Sequence, residues 1–170
     1  MGDRLKYKYV EDAGREILLS DTHPISDISD FSKYLSALND KNYTVFITKD
    51  NNKCTVKEND ADLLTSLGIN TDLLEKDTPY YCVLESCSVL CESADENPGK
   101  EYGSLKNGHY FSITSTNKDK ESFSSIRIDG IDYSVNKSGL NIVVYDNYND
   151  KVIDSVCFDI RKDYTCNRFD

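Results

Sequence analysis

The chain has 170 residues, enough for one domain with a substantial core, and carries 30 acidic against 20 basic side chains, a formal charge of −10. That balance repels phosphate backbones and anionic leaflets, which argues against nucleic acid and membrane surfaces as partners. No apolar run approaches the ~18 residues of a spanning helix, so no membrane insertion is expected. Twelve tyrosines and six phenylalanines argue for a folded chain despite an apolar fraction of only 38%. The opening MGDRLKYKYV lacks the charged-then-apolar layout of a secretory leader, so the chain is either cytoplasmic or a domain of a longer protein.

Residues 1–14 read as a possible extra hairpin strand. Leu5–Glu11 followed by Ile17-Leu18 matches Leu140–Asp146 followed by Val152-Ile153 at a constant offset of 135. The match is either a chance likeness of two hairpins or the start of a second copy; a one-residue slip would destroy it. Ile28, Phe31, Leu35 and Leu38 form the stripe of an amphipathic helix, with its start signal at Pro24 and Ser26/Asp27. Tyr43–Thr48 hardly alternates, which predicts a central strand covered on both faces, ended by the polar cluster Lys49–Lys53. A second helix is predicted with Asn59 or Asp60 as cap, Leu63, Leu64 and Leu67 facing inward, and Gly68 at its end.

From Tyr80 the pattern changes to short strands. Tyr80–Glu85 and Cys87–Cys91 read as a hairpin, and the polar stretch Glu92–Gly108 as an exposed loop. His109–Thr114 alternates cleanly, and Phe123–Ile128, Asp129-Gly130 and Ile131–Val135 give a type I′ hairpin signal. Asn136–Gly139 turns the chain into a last hairpin, Leu140–Tyr145 with Lys151–Phe158. About eight or nine strands and two main helices in this order predict a single α+β domain over 1–170, with twisted, sandwich-like antiparallel sheets.

The residue types that carry chemistry elsewhere point mostly to structure here. Cys82, Cys87 and Cys91 are spaced by five and four among strand formers, unlike zinc knuckles, and the six cysteines read as small hydrophobes whose pairing stays open. His109 opens an alternating strand and His23 precedes Pro24, and neither is matched to a thiol and an orienting acid. The oxygens of Asp146–Asp150 suit calcium, yet five residues between two strands read more simply as a hairpin loop. No cofactor motif and no enzyme signature emerge.

Gly139–Asp146 with Val152–Asp159 resembles the signature hairpin of the interleukin-like EMT inducer (ILEI/PANDER-like) family. Further pieces are similar as well: a strand ending in Lys49-Asp50, a helix ending in Leu67-Gly68, and Lys76-Asp77-Thr-Pro-Tyr80-Tyr81 where the family has an Arg-Asp-x-Trp/Tyr segment. The Phe-Asp hairpin comes last rather than first, as in a circular permutation, with Ile17–Asp21 in the closing strand's place. The resemblance implies a β-β-α fold without enzyme activity. It also implies a role like that of the sugar-binding branch or of bacterial accessory domains in cell-surface polysaccharide proteins. By motif match it places a ligand site on Asp50 and Lys76, with Asp77, Tyr80 and Tyr81 nearby.

Sugars are held by aromatic faces against their C–H surfaces and by carboxylates, amides and bases at their hydroxyls, and a neutral glycan is not repelled by an acidic protein. The expectation is therefore a non-catalytic carbohydrate-binding or accessory module of a larger, extracytoplasmic envelope protein. The alternative is a protein–protein interaction domain, docking or forming a homodimer through a sheet edge.

Overall fold

The structure, a computed structural model, describes residues 6–10, 15–19, 30–52, 54–95, 100–116, 124–159 and 165–168. The elements run β1 (Lys6–Val10), β2 (Arg15–Leu19), α1 (Phe31–Ala37), β3 (Tyr43–Lys49), α2 (Glu58–Leu67), α3 (Thr71–Leu74), β4 (Tyr80–Glu85) and β5 (Ser88–Ala94). There follow β6 (Lys100–Ser104), β7 (Tyr110–Ser115), β8 (Ser124–Ile128), β9 (Ile131–Asp132), β10 (Leu140–Asp146), β11 (Lys151–Asp159) and β12 (Thr165–Arg168). The class is mixed α+β with antiparallel sheets. One sheet has the order β12-β11-β10-β3-β4-β5, a second β6-β7-β8-β9, and β1 pairs with β2.

Period-two alternation in the central strands builds three layers. Val45 and Ile47 of β3, Tyr80, Cys82 and Leu84 of β4, and Leu140, Ile142 and Val144 of β10 join an apolar cluster with Phe31, Tyr34 and Leu35 of α1 and Leu64 and Leu67 of α2. Their neighbours Phe46, Tyr81, Val83, Val143 and Tyr145 join a second cluster with Phe111 and Ile113 of β7 and Ile126 and Ile128 of β8. The six-stranded sheet is thus roofed by helices on one face and by the smaller sheet on the other, and this is why β3 and β10 are buried almost end to end. Phe158 anchors the helix side, its ring 4.8 Å from that of Phe31 and 5.2 Å from that of Tyr34, whose hydroxyl donates to buried Asp154 at 2.7 Å. On the other side Phe46 meets Phe111 edge-on at 5.5 Å. Buried hydroxyls at one end join the two sheets: Thr48 Oγ1 to Ser124 Oγ at 2.6 Å and Ser124 Oγ to Ser134 Oγ at 2.7 Å.

Local rules account for the ends. Asp30 caps α1, its carboxylate accepting from Lys33 N at 3.1 Å, so the described helix starts later than the Pro24 and Ser26/Asp27 signal, which lies outside the described residues, as do His23 and Ile28. Removing the cap with Asp30→Ala is expected to lower stability by about 1 kcal/mol in a urea titration, with the slope unchanged. Helix α2 begins at Glu58, so both expected cap residues lie inside it: Lys57 precedes it without a side-chain cap, and Asp60 is buried as acceptor for Ser32 Oγ at 2.5 Å, tying α2 to α1. Gly68 ends α2 at φ 103°, and the Asp129-Gly130 turn has φ 51° and 83°, the two positive values a type I′ turn needs.

Two expectations change. The stretch 92–108 is not one loop: β5 extends to Ala94, and β6 pairs with β7, the Phe111 ring lying over Gly103, where no side chain stands in its way. Residues 96–99 lie outside the description. The offset of 135 does not survive pairing either. Tyr9 faces Glu16 in the first hairpin, which maps to Val144 facing Lys151, whereas Val144 faces Asp154 because β11 is in a different register with a bulge at Val144/Tyr145. The two hairpins are alike in pattern only. Ile17–Leu19 lies in β2, whose ladder partner is β1, and β2 lies alongside β11 of the larger sheet.

Candidate functional site

The residues expected to hold a ligand fall at one end of the six-stranded sheet, where β3 ends and β4 begins. Asp50 and Lys76 do come together there, but through Lys49. The Lys49 side chain is only 1% exposed, and its ammonium donates to the carbonyls of Asp50 (2.9 Å), Asn52 (3.1 Å), Lys76 (2.9 Å) and Thr78 (3.0 Å). Burial draws its pKa below the usual lysine range, opposed by Cys54, Asp50 and Asp77. Lys49 therefore does not begin an exposed polar turn; it closes the strand end from inside.

Asp50 is buried and its carboxylate is already occupied. Its oxygens accept from Asn52 N at 2.9 Å and from Ser138 Oγ at 2.6 Å, with Asn52 Nδ2 at 3.4 Å. Lys76 and Asp77 have exposed side chains. Tyr80 and Tyr81, successive residues of a strand, face opposite ways: Tyr80 lies in the helix-side core with its hydroxyl donating to Glu92 at 2.6 Å, and Tyr81 in the core between the sheets. The two tyrosines cannot form one sugar-facing surface, and their bulk serves the two cores.

A different surface carries exposed aromatics. On β7 the burial alternates, with Phe111, Ile113 and Ser115 inward and Tyr110, Ser112 and Thr114 outward. Pairing sets Tyr102 of β6 opposite Ser112, and Ser112 opposite Arg127 of β8, while Ser104 faces Tyr110 and Thr114 faces Ser125. Tyr102 and Tyr110 are thus diagonal neighbours on the outer face of the four-stranded sheet, a separation of about 7–8 Å within reach of two rings. They are 66% and 70% exposed. Around them stand hydroxyls of Ser104, Ser112, Thr114 and Ser125 and the guanidinium of Arg127.

One end of this face is held by a charged cluster. His109 precedes Tyr110; its Nδ1 is 2.5 Å from Asp129 Oδ2 in the β8–β9 turn, and its Nε2 is 2.8 Å from Asp150 Oδ1 in the β10–β11 turn. Asp129 Oδ1 accepts from the Tyr110 N–H at 3.0 Å, and Asp150 also accepts from the Tyr145 hydroxyl. Two acceptors facing both ring nitrogens call for the imidazolium, whose two N–H groups can serve both. The pKa of His109 is accordingly raised, first by its hydrogen bond to Asp129, against a lowering by desolvation. Asp150 is held below its ordinary value, chiefly by Tyr145. Asn107 Nδ2 donates to Asn147 O at 2.9 Å and Lys106 Nζ to Ser86 Oγ at 2.7 Å, so this turn also reaches the β10–β11 and β4–β5 turns. Tyr148, 82% exposed, sits in the β10–β11 turn.

Other chemistries find less support in the geometry. Cys82 faces the helix-side core, Cys91 packs against the second cluster and Cys87 sits in the β4–β5 turn, so the three do not converge. Cys54, Cys82, Cys87 and Cys91 form no disulfide among the described residues, and buried Cys157 points its thiol at the carbonyls of Lys137 and Ser138, each at 3.5 Å. Burial pushes Cys54 up to about 12 and Cys91 up to about 11, away from thiolate reactivity. Asp146 accepts from the N–H groups of Tyr148 (2.9 Å) and Asn149 (3.1 Å) and from Asn149 Nδ2 (2.7 Å), so the 146–150 oxygens shape the hairpin turn. No group of three or more metal-ligating side chains occurs among the described residues. The sequence reading passed over Tyr102 because it lay in an expected loop, and over Tyr110 although its place in the period-two pattern marked it as outward.

Comparison with known protein families, with curated proteins and with solved structures gives no match for this chain.

Proposed function

We propose that the chain is a non-catalytic carbohydrate-binding module and that it binds on the outer face of the four-stranded sheet. The observation that carries the reading is the diagonal pair Tyr102 and Tyr110, two exposed rings on one sheet face bordered by hydroxyls and Arg127. Rings so placed cover the C–H faces of successive sugars while the rim bonds their hydroxyls. The excess of acidic groups favours neutral over anionic glycans. The likeness of the Gly139–Asp159 hairpin to the ILEI/PANDER-like family, with a permuted order, supports the same reading and a place as an accessory unit in a larger envelope protein. His109, engaged by two carboxylates rather than set against a nucleophile, favours binding over catalysis.

A panel of neutral glycans, followed by titration calorimetry on any that bind, tests the proposal. Tyr102→Ala and Tyr110→Ala are each expected to weaken binding about tenfold, whereas Lys76→Ala at the other site leaves it unchanged. Absence of binding to every glycan, or a loss confined to Lys76→Ala, would refute it. Docking through a sheet edge has one observation in its favour: Val89 and Leu90 are exposed on edge strand β5. Against it, the register shift between Val83 and Leu84 leaves Leu90 as a bulge, a device that blunts edges against pairing. A concentration-dependent dimer in sedimentation would favour that second reading.

A further inference from the structure

We propose that His109 is a positioning residue, a proton-operated pin that fastens three turns at one end of the two sheets and fixes Tyr110 for ligand binding. The positioning role rests on the binding reading above; the pin itself does not. His109 belongs to the turn between β6 and β7, Asp129 to that between β8 and β9, and Asp150 to that between β10 and β11. The first two turns belong to the four-stranded sheet and the third to the six-stranded one, so a single ring spans both sheets at their open end. Both carboxylates stand on turn residues of positive φ, 51° for Asp129 and 56° for Asp150, backbone states that most side chains avoid. The link to the tyrosine face is direct: Asp129 grips the ring with one oxygen and the Tyr110 N–H with the other.

The titratable and charged groups set against the ring are Asp129, Asp150 and Tyr145, whose ring centroid lies 6.0 Å from that of His109. When the ring loses its proton, one nitrogen presents a lone pair to a carboxylate, and the two acids face each other without a cation between them. Asp150 keeps Tyr145 and Asp129 keeps the Tyr110 N–H, so the ring is the member released.

The direction with pH follows. His109 has a folded pKa above the ordinary 6.5, so its contribution is complete below 6.5 and is lost as the pH rises through the folded value. Asp150 has a folded pKa below the ordinary 3.8, so its contribution is present above 3.8 and is lost as the pH falls through the folded value. The pin is closed between these limits and opens on the alkaline side. Because the cluster is half-exposed, salt weakens the effect.

Three measurements on the whole chain test this. NMR titration of the ring protons, assigned against His23 with His109→Asn, should give a pKa above 6.5, and the Tyr110 amide should shift with the same midpoint. The melting temperature should fall through that interval in the natural chain and stay flat in His109→Asn, while Asp129→Asn should bring the ring pKa down. If a glycan from the panel binds, its affinity should be about fivefold weaker at about pH 8.5 than at about pH 5.5, a difference absent from His109→Asn. A ring pKa at or below 6.5, or melting curves of the natural chain and His109→Asn that run parallel across the pH range, would overturn the pin. If the ring titrates as expected but no glycan binds, the pin stands and the binding reading fails. If a glycan binds with an affinity that ignores pH while the ring titrates, the pin stands without its positioning role.

Discussion

Lys49→Met is expected to lower the free energy of unfolding by about 3–5 kcal/mol, read from the midpoint of a urea titration. Methionine fills most of the space of the lysine stem, so what disappears is the ammonium. Four carbonyls, those of Asp50, Asn52, Lys76 and Thr78, then lose their donor in a place that water reaches poorly. A hydrogen bond to a charged group contributes about 1.5–3 kcal/mol, and three N–H groups shared among four acceptors do not add independently. Arginine does not substitute, because its planar fork cannot reach four acceptors disposed around a point. The carbonyls belong to the exit of β3 and the entry of β4, so the loss is also expected to loosen the 50–52 and 75–78 segments in hydrogen exchange ahead of global unfolding. A cost below about 1 kcal/mol would mean that the ammonium is not the clasp described.

Gly139→Ala is expected to cost about 2–5 kcal/mol in the same titration. Gly139 has φ 126°, and a Cβ there would lie 2.3 Å from the carbonyl oxygen of Phe158 and 3.0 Å from its carbonyl carbon. Those are backbone atoms of β11, so no side chain can swing aside. Relief requires parting β10 from β11 where Leu140 pairs with Phe158, and Phe158 is the ring on which Phe31 and Tyr34 rest. Gly130→Ala provides the comparison: φ is 83° but nothing lies within 4 Å of its Cβ, so only the backbone preference is lost, about 1 kcal/mol. Equal costs for the two variants would remove the close approach from the explanation.

Much of the layering was legible in the chain. The near-absence of alternation in Tyr43–Thr48 meant cover on both faces, and β3 lies between β10 and β4 with its residues dividing between two cores. Gly68, Asp129-Gly130 and the Leu140–Phe158 hairpin were legible because turn chemistry and alternation act over a few residues. What escaped depended on distant partners. A lysine followed by aspartate at a strand end reads as an exit to solvent, yet acceptors 27 and 29 residues away make Lys49 a buried group. Tyr80 and Tyr81 read as a pair, although strand geometry sends neighbours to opposite faces, and only the presence of cover on both sides decided that neither face was wet. His109 was read as an ordinary strand residue because its two acids come from turns 20 and 41 residues further on.

The central sheet also acts as a wall. Phe46 and Val143 look one way and Ile47 and Ile142 the other, so the backbone of β3 and β10 stands between the two apolar clusters. A void opened beside Phe111 cannot be filled by a side chain from the Phe158 side, and damage in one compartment should add to damage in the other without compounding it. Residues lining either compartment can therefore drift together with their own neighbours, leaving the opposite chamber and the outward tyrosines undisturbed.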